Sequence, residues 1–172
     1  MGKNYEIERK FLVEFPDVAH LDVKRRISIV QTYLKKGVNG SQRRVRYVEE
    51  NGKVKYTYTE KVFITPVTRE ENEYEISQEE YRRLLSQERG NCPPVEKVRY
   101  CFEYNSQLFE LDKYPFSDEL AIMELELGSP EQKIDFPDNV KVLREVSDDA
   151  RYSNASLASA GGFPEQKIGE NI

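Results

Sequence analysis

The sequence predicts an α+β fold that is mostly β: an eight-stranded antiparallel barrel, closed into a tunnel, with helices packed on its outside. Three observations carry this expectation. Apolar and polar residues alternate along most of the chain, turn residues recur at short intervals between the alternating runs, and the polar positions are charged with the signs sorted strand by strand. A sheet with one buried face asks only that the other tolerate water. Carboxylate pairs on some strands and cation pairs on others go beyond that, and a sheet closed with its charged face inward accounts for them as a wet, ligand-binding lumen.

Strands are expected at residues 5–13, 26–34, 42–49, 53–63, 68–77, 95–104, 107–113 and 120–127. The steps at Asn51–Gly52 and Asn105–Ser106 suit hairpins, which makes their neighbours antiparallel. Ser77, with Glu80 three residues on, has the form of a capping box and starts a helix expected to run to about residue 89, where Gly90 stops it. Its narrow apolar stripe, Tyr81, Leu84 and Leu85, places it on a surface. A further helix is expected within residues 129–142, shortened by Pro130 and Pro137, and one or two helical turns at 155–160 before Gly161, Gly162 and Pro164. Residues 1–160 read as one domain and 161–172 as a mobile tail.

Bulk properties narrow the function. With 38% hydrophobic residues, eight Phe and eleven Tyr, the chain has the means to build a core. No run reaches the length of a membrane span and the opening lacks the apolar stretch of a secretory signal, so a cytoplasmic protein without a membrane partner is expected. A net charge of −5 argues against a nucleic-acid-binding surface and confines any polyanion site to a local patch. The single histidine, His20, rules out histidine-based metal clusters and triads, and two cysteines outside any CxxC spacing read as reduced thiols.

The charged positions are two residues apart and therefore share a strand face. Strand one presents Glu6, Glu8 and Lys10; strand three Arg44 and Arg46; strand four Lys61 with Thr57 and Thr59; strand five Glu73 and Glu75; strand six Lys97 and Arg99; strand seven Asp112; and strand eight Glu124 and Glu126. Buried ions need partners, water or bound counter-ions, because the idealised cost of drying one is of order 20 kcal/mol. The cations Lys10, Arg44, Arg46, Lys61, Lys97 and Arg99 suit a chain of phosphates, and the carboxylates are hard ligands for Mg²⁺ or Mn²⁺.

These residues resemble the CYTH superfamily, the triphosphate tunnel metalloenzymes. The opening YEIERKF is similar to its ExExK signature, and RVRY at 44–47, Lys61, EYE at 73–75, EKVRY at 96–100, LFELD at 108–112, MELEL at 123–127 and REVSDDARYSN at 144–154 follow in family order. The resemblance implies a tunnel open at both ends. It implies substrate contacts from Lys10, Arg44, Arg46, Lys61, Lys97 and Arg99, with Arg151 on a lid beside the mouth. Metal or water-organising roles fall by the same carry-over to Glu6, Glu8, Asp112, Glu124 and Glu126, and catalytic roles to Lys10, Glu73 and Glu75. Two positions depart from the pattern: Glu71 stands where relatives often carry Arg, with Arg69 the nearest arginine, and Ala150 stands where the lid often carries Lys.

The implied activity is metal-dependent hydrolysis of a small-molecule triphosphate, first inorganic tripolyphosphate to pyrophosphate and phosphate, by a monomer or homodimer. Thiamine triphosphate hydrolysis, class IV type adenylyl cyclisation and non-catalytic polyphosphate binding are the alternatives. An organic substrate would call on an aromatic slot, for which Tyr33, Tyr47 and Tyr114 are candidates.

Overall fold

A computed structural model of the chain describes residues 5–166. Among these residues it has nine strands and two α-helices: β1 (Tyr5–Glu14), β2 (Val23–Tyr33), β3 (Gln42–Glu50), β4 (Lys53–Phe63), β5 (Thr68–Ile76), α1 (Gln78–Leu85), β6 (Val95–Tyr104), β7 (Gln107–Lys113), β8 (Leu120–Glu126), β9 (Val142–Glu145) and α2 (Asn154–Ala160). The strands neighbour one another in the order β5-β4-β3-β2-β6-β7-β8-β1, all antiparallel. A short seam, Tyr5, Glu6 and Ile7 against Glu70, Arg69 and Thr68, joins β1 to β5 and closes the barrel. Beyond the seam β1 turns the same edge to β9, so no long edge of that strand is left bare. The β3–β4 turn has Asn51 and Gly52 at φ 53° and 78°, the left-handed pair that a two-residue hairpin requires.

The alternation sorts as expected. Phe11, Val13, Phe102, Phe109, Leu111, Met123 and Leu125 form the outer core of the β1, β6, β7 and β8 wall, covered by Phe15, Val18, Leu21, Ile134, Phe136 and Val140 from the loops. On the opposite wall Leu84 of α1 packs on Leu34, Val45 and Tyr58. The Glu80 amide donates to Ser77 Oγ at 3.0 Å, as a cap should, while the Glu80 carboxylate turns to Arg83 instead of back to the Ser77 amide.

Two elements differ from expectation. Helix α1 stops at Leu85, before residue 89, because the following segment bonds to the end of β2: Lys35 N–H donates to Gln87 O and Arg89 N–H to Tyr33 O, both at 2.8 Å. Residues 129–141 form no helix. Pro130 and Pro137 interrupt the backbone donors, the Gln107 side chain clamps the Asp135 peptide at 2.8 and 3.1 Å, and the chain then enters β9, too short for its alternation to stand out in the sequence.

Inside the barrel, apolar clusters flank a charged belt. Ile27, Ile29, Val48 and Cys101 form one. Leu12, Tyr33, Val95, Tyr114 and Ile122 form the other, onto which Val146, Tyr152 and Leu157 pack, so the C-terminal segment stops that end of the bore where an opening was implied. Packing continues past residue 160: the Phe163 ring meets Phe116 at 5.3 Å and Tyr114 at 5.8 Å, and Gln166 Nε2 donates to Tyr152 Oη at 2.8 Å. Residues 167–172, where the rest of the expected mobile tail falls, lie outside the described residues. Both cysteines are free thiols, and among the described residues no helix is long and apolar enough to cross a membrane.

Candidate active site

The belt encloses a cavity of about 570 Å³. Its walls include Glu6, Glu8 and Lys10 of β1, Arg44 and Arg46 of β3, Lys61 of β4, Arg69, Glu71 and Glu73 of β5, Arg99 of β6, Glu110 of β7 and Glu124 of β8, and residues 146–150 with Ser153 and Asn154 close one side. Strand register makes this assembly. Arg46 lies opposite Gln31 and Thr57, Lys61 opposite Glu71, Lys10 opposite Glu124, Arg99 opposite Asp112, and Glu6 opposite Arg69 across the seam. Directly opposed residues point to the same side of an antiparallel pair, so each pairing brings two inward side chains together.

Arg44 and Arg46 are buried and have no ion pair within 4.0 Å among the described residues. Arg44 Nε has no hydrogen-bond partner, and Arg46 Nε donates only to Gln31 Oε1 at 2.9 Å, a glutamine held in turn by Tyr33 Oη at 2.8 Å. Burial, and then the neighbouring Arg44 and Arg99, push Arg46 down to about 10. Two neighbouring guanidiniums without a direct ion pair are chemically suited to an anion.

The other cations are engaged. Arg99 forks onto Asp112 at 2.8 and 2.9 Å and reaches Glu110 at 2.7 Å, and Lys97 Nζ sits 2.8 Å from Asp112 Oδ2. Burial alone would raise Asp112, but Arg99 and Lys97 outweigh it and hold the acid at about 2. Burial pushes Lys97 down to about 7 against the pull of Asp112. Asn154 Oδ1 accepts from Lys97 Nζ at 3.4 Å and from Tyr114 Oη at 2.5 Å, which ties the start of α2 to the barrel floor.

The carboxylates gather at the seam. Lys10 Nζ is 3.6 Å from Glu124, Arg69 spans Glu6 and Glu8, and Lys61 Nζ is 3.3 Å from Glu71. Burial, then the hydrogen bond with Glu71, lifts Glu6 to about 8; Glu71 would also be raised by burial, but its bond with Glu6 and the charges of Lys61 and Arg44 bring it to about 2.

Of the residues singled out from the sequence, Lys10, Arg44, Arg46, Lys61, Arg99, Glu6, Glu8, Glu73 and Glu124 meet at the cavity wall. Lys97 and Asp112 lie behind it, each side chain fully buried, and both Asp112 oxygens go to cations instead of facing the bore as a metal ligand would. Glu126 is directly opposite Glu8 but exposed, and Glu75, opposite Thr57, is exposed as well; neither lines the cavity. The Arg151 side chain is 61% exposed and forks onto Asp149, and Arg151 is not on the cavity wall that residues 146–150, Ser153 and Asn154 help to form. The three tyrosines do not line one site: Tyr33 is on this wall, whereas Tyr47 and Tyr114 border a second, smaller cavity of about 260 Å³.

Arg69, Glu71 and Glu110 were not among the expected site residues, although each continues the inward parity of its strand; period-two extension from Glu73 and Asp112 finds all three. Arg69 answers the departure at Glu71: the barrel has its β5 arginine, displaced by two residues. Asn154 carries no such signal because it enters from a loop.

The CYTH domain model matches residues 4–159 of the chain. The chain belongs to the CYTH family. A CYTH-sized relative, the inorganic triphosphatase of Acetivibrio thermocellus, is 33% identical over 158 residues, which cover 91% of this chain and 94% of that protein. The crystal structure of the inorganic triphosphatase NE1496 is similar at 31% identity and TM-score 0.54, covering 90% of this CYTH chain and 94% of the other. The PH1819 protein from Pyrococcus horikoshii OT3 shares the fold at 19% identity and TM-score 0.56, over 73% and 80% of the two chains.

Proposed function

We propose that this CYTH protein hydrolyses inorganic triphosphate to pyrophosphate and orthophosphate inside the barrel, with a divalent cation. The observation that carries the reading is the pair of buried guanidiniums, Arg44 and Arg46, on the wall of the barrel cavity with no ion pair within 4.0 Å among the described residues. The inorganic triphosphatases to which the chain is similar point the same way. Phosphoryl transfer asks a protein for positioning and charge neutralisation. Arg44 and Arg46 bind phosphate oxygens from β3, and Lys10, Lys61 and Arg99 complete a ring of cations around the bore. Asp112 and Asn154 act behind them, holding Arg99 and Lys97 in place. Attack of water on the terminal phosphorus breaks its bond to the bridging oxygen, pyrophosphate leaves against the cations, and Glu73, whose Oε1 accepts from Thr59 Oγ1 at 3.1 Å, takes the water's proton.

The carboxylates fit a hard cation. Glu6, Glu8 and Glu124 offer oxygen ligands on the cavity wall, and Glu126 lies opposite Glu8. Among the described residues no three acids converge on one point, and Lys10 and Arg69 pair with the oxygens of Glu124, Glu6 and Glu8. Glu6, Glu8 and Glu124 would hold Mg²⁺ or Mn²⁺, which supplies charge neutralisation at the phosphate oxygens when bound.

The test is product identity. Incubated with tripolyphosphate and Mg²⁺ or Mn²⁺, the protein should release pyrophosphate and orthophosphate in equal amounts by ³¹P NMR; uptake without products, or cyclic AMP as the main product from ATP, would replace hydrolysis with binding or cyclisation.

A further inference from the structure

The guanidinium of Arg69 sits where the seam brings β5 to β1. Its Nε is 3.1 Å from Glu6 Oε2, its Nη2 pairs with Glu8 Oε1, and its plane lies over the Phe63 ring at 5.8 Å. The residue is 7% exposed yet lines the cavity. It therefore pairs with one oxygen of each of two acids, separated by one residue on β1, that the proposed function gives to a divalent cation. The same strand carries Glu71 in place of a second inward arginine, and Glu71 is paired with Lys61 and Glu6, so no other β5 cation competes for Glu8.

We infer that Arg69 is a built-in competitor for the metal: it neutralises Glu6 and Glu8 in the metal-free barrel and must be displaced before a divalent cation takes them. This rests on the reading that these carboxylates are the metal seat. Two cations cannot share the same carboxylate oxygens except at a cost in mutual repulsion, so the ion-pair geometry sets metal affinity as well as barrel closure. Once displaced, the guanidinium remains on a cavity wall within reach of the anion site, so metal and triphosphate would favour each other's binding.

Metal-free protein titrated with Mn²⁺ alone, with free ion counted by electron paramagnetic resonance, tests this without turnover. Arg69→Gln should bind Mn²⁺ roughly tenfold more tightly than the unmodified protein, and Arg69→Lys, which keeps the charge but not the fork, about threefold more tightly. The lysine variant carries the test alone if the glutamine variant does not fold. Unchanged or weaker binding overturns the inference, as does an equal gain in Lys10→Gln, which would mean that any lost cation suffices. Glu8→Gln separates the two claims. Weakened Mn²⁺ binding there beside an unchanged Arg69→Gln sinks the competitor role alone, whereas normal binding in Glu8→Gln removes the carboxylate seat and the competitor with it.

Discussion

Replacing Arg46 with alanine should lower kcat/KM for tripolyphosphate by roughly 10²–10³-fold, the loss expected when one preorganised donor to a developing anionic charge is removed. The same change should leave the folded protein as stable as before or more so. The Arg46 guanidinium is buried, is repelled by Arg44 and Arg99, and makes one protein hydrogen bond, from its Nε to Gln31. Its removal relieves desolvation and like-charge repulsion at the expense of that bond and some packing. A group that weakens the fold in the absence of ligand is kept for what it binds. Phosphate-release kinetics and thermal melting on the same preparation give both readouts; near-normal turnover would take Arg46 out of the chemistry, and a large drop in melting temperature would make it a structural residue.

Asp112→Asn should have the opposite balance, with the largest effect on folding. Asp112 is fully buried and accepts from Arg99 at both oxygens while pairing with Lys97 at 2.8 Å. Asparagine keeps the shape but withdraws the charge that lets two cations sit in the interior, and breaking a buried pair from one side costs about 3–5 kcal/mol. Urea unfolding should show that loss, and activity should fall with it because Arg99 no longer has a fixed direction. Adding Lys97→Met to the same protein should restore part of the stability, since one of the two unpaired charges is then gone. A variant as stable as the unmodified protein would return Asp112 to the cavity-facing role expected from its sequence motif.

The contrast between these two residues marks what can be read from the chain alone. Both stand at inward positions of alternating strands, and parity is enough to place them on the charged face. It does not tell which ions meet. That depends on register across strands distant in sequence, which set Arg99 opposite Asp112 and left Arg46 opposite Gln31 and Thr57, polar but uncharged. The apolar end of the bore was hidden for a similar reason: Leu12, Tyr33, Val95 and Ile122 look like ordinary inward or outward strand residues until the C-terminal segment lays Tyr152 and Leu157 on them. Glu75 and Glu126 share the parity of the cavity residues but lie where their strands run out toward solvent, so alternation fixes a face and not a depth. The expected helix within residues 129–142 failed because propensity there was weak and the Gln107 clamp and outer-core contacts of Ile134, Phe136 and Val140 decided the path.

The central claim is that a triphosphate lies within the barrel on the carboxylate-free guanidiniums. A crystal structure of the metal-free protein with tripolyphosphate decides it. Phosphate oxygens in hydrogen-bond contact with Arg44 and Arg46, between Lys61 and Arg99, are the expected result; an anion seated on the exterior, with those two side chains unchanged and unengaged, would contradict it.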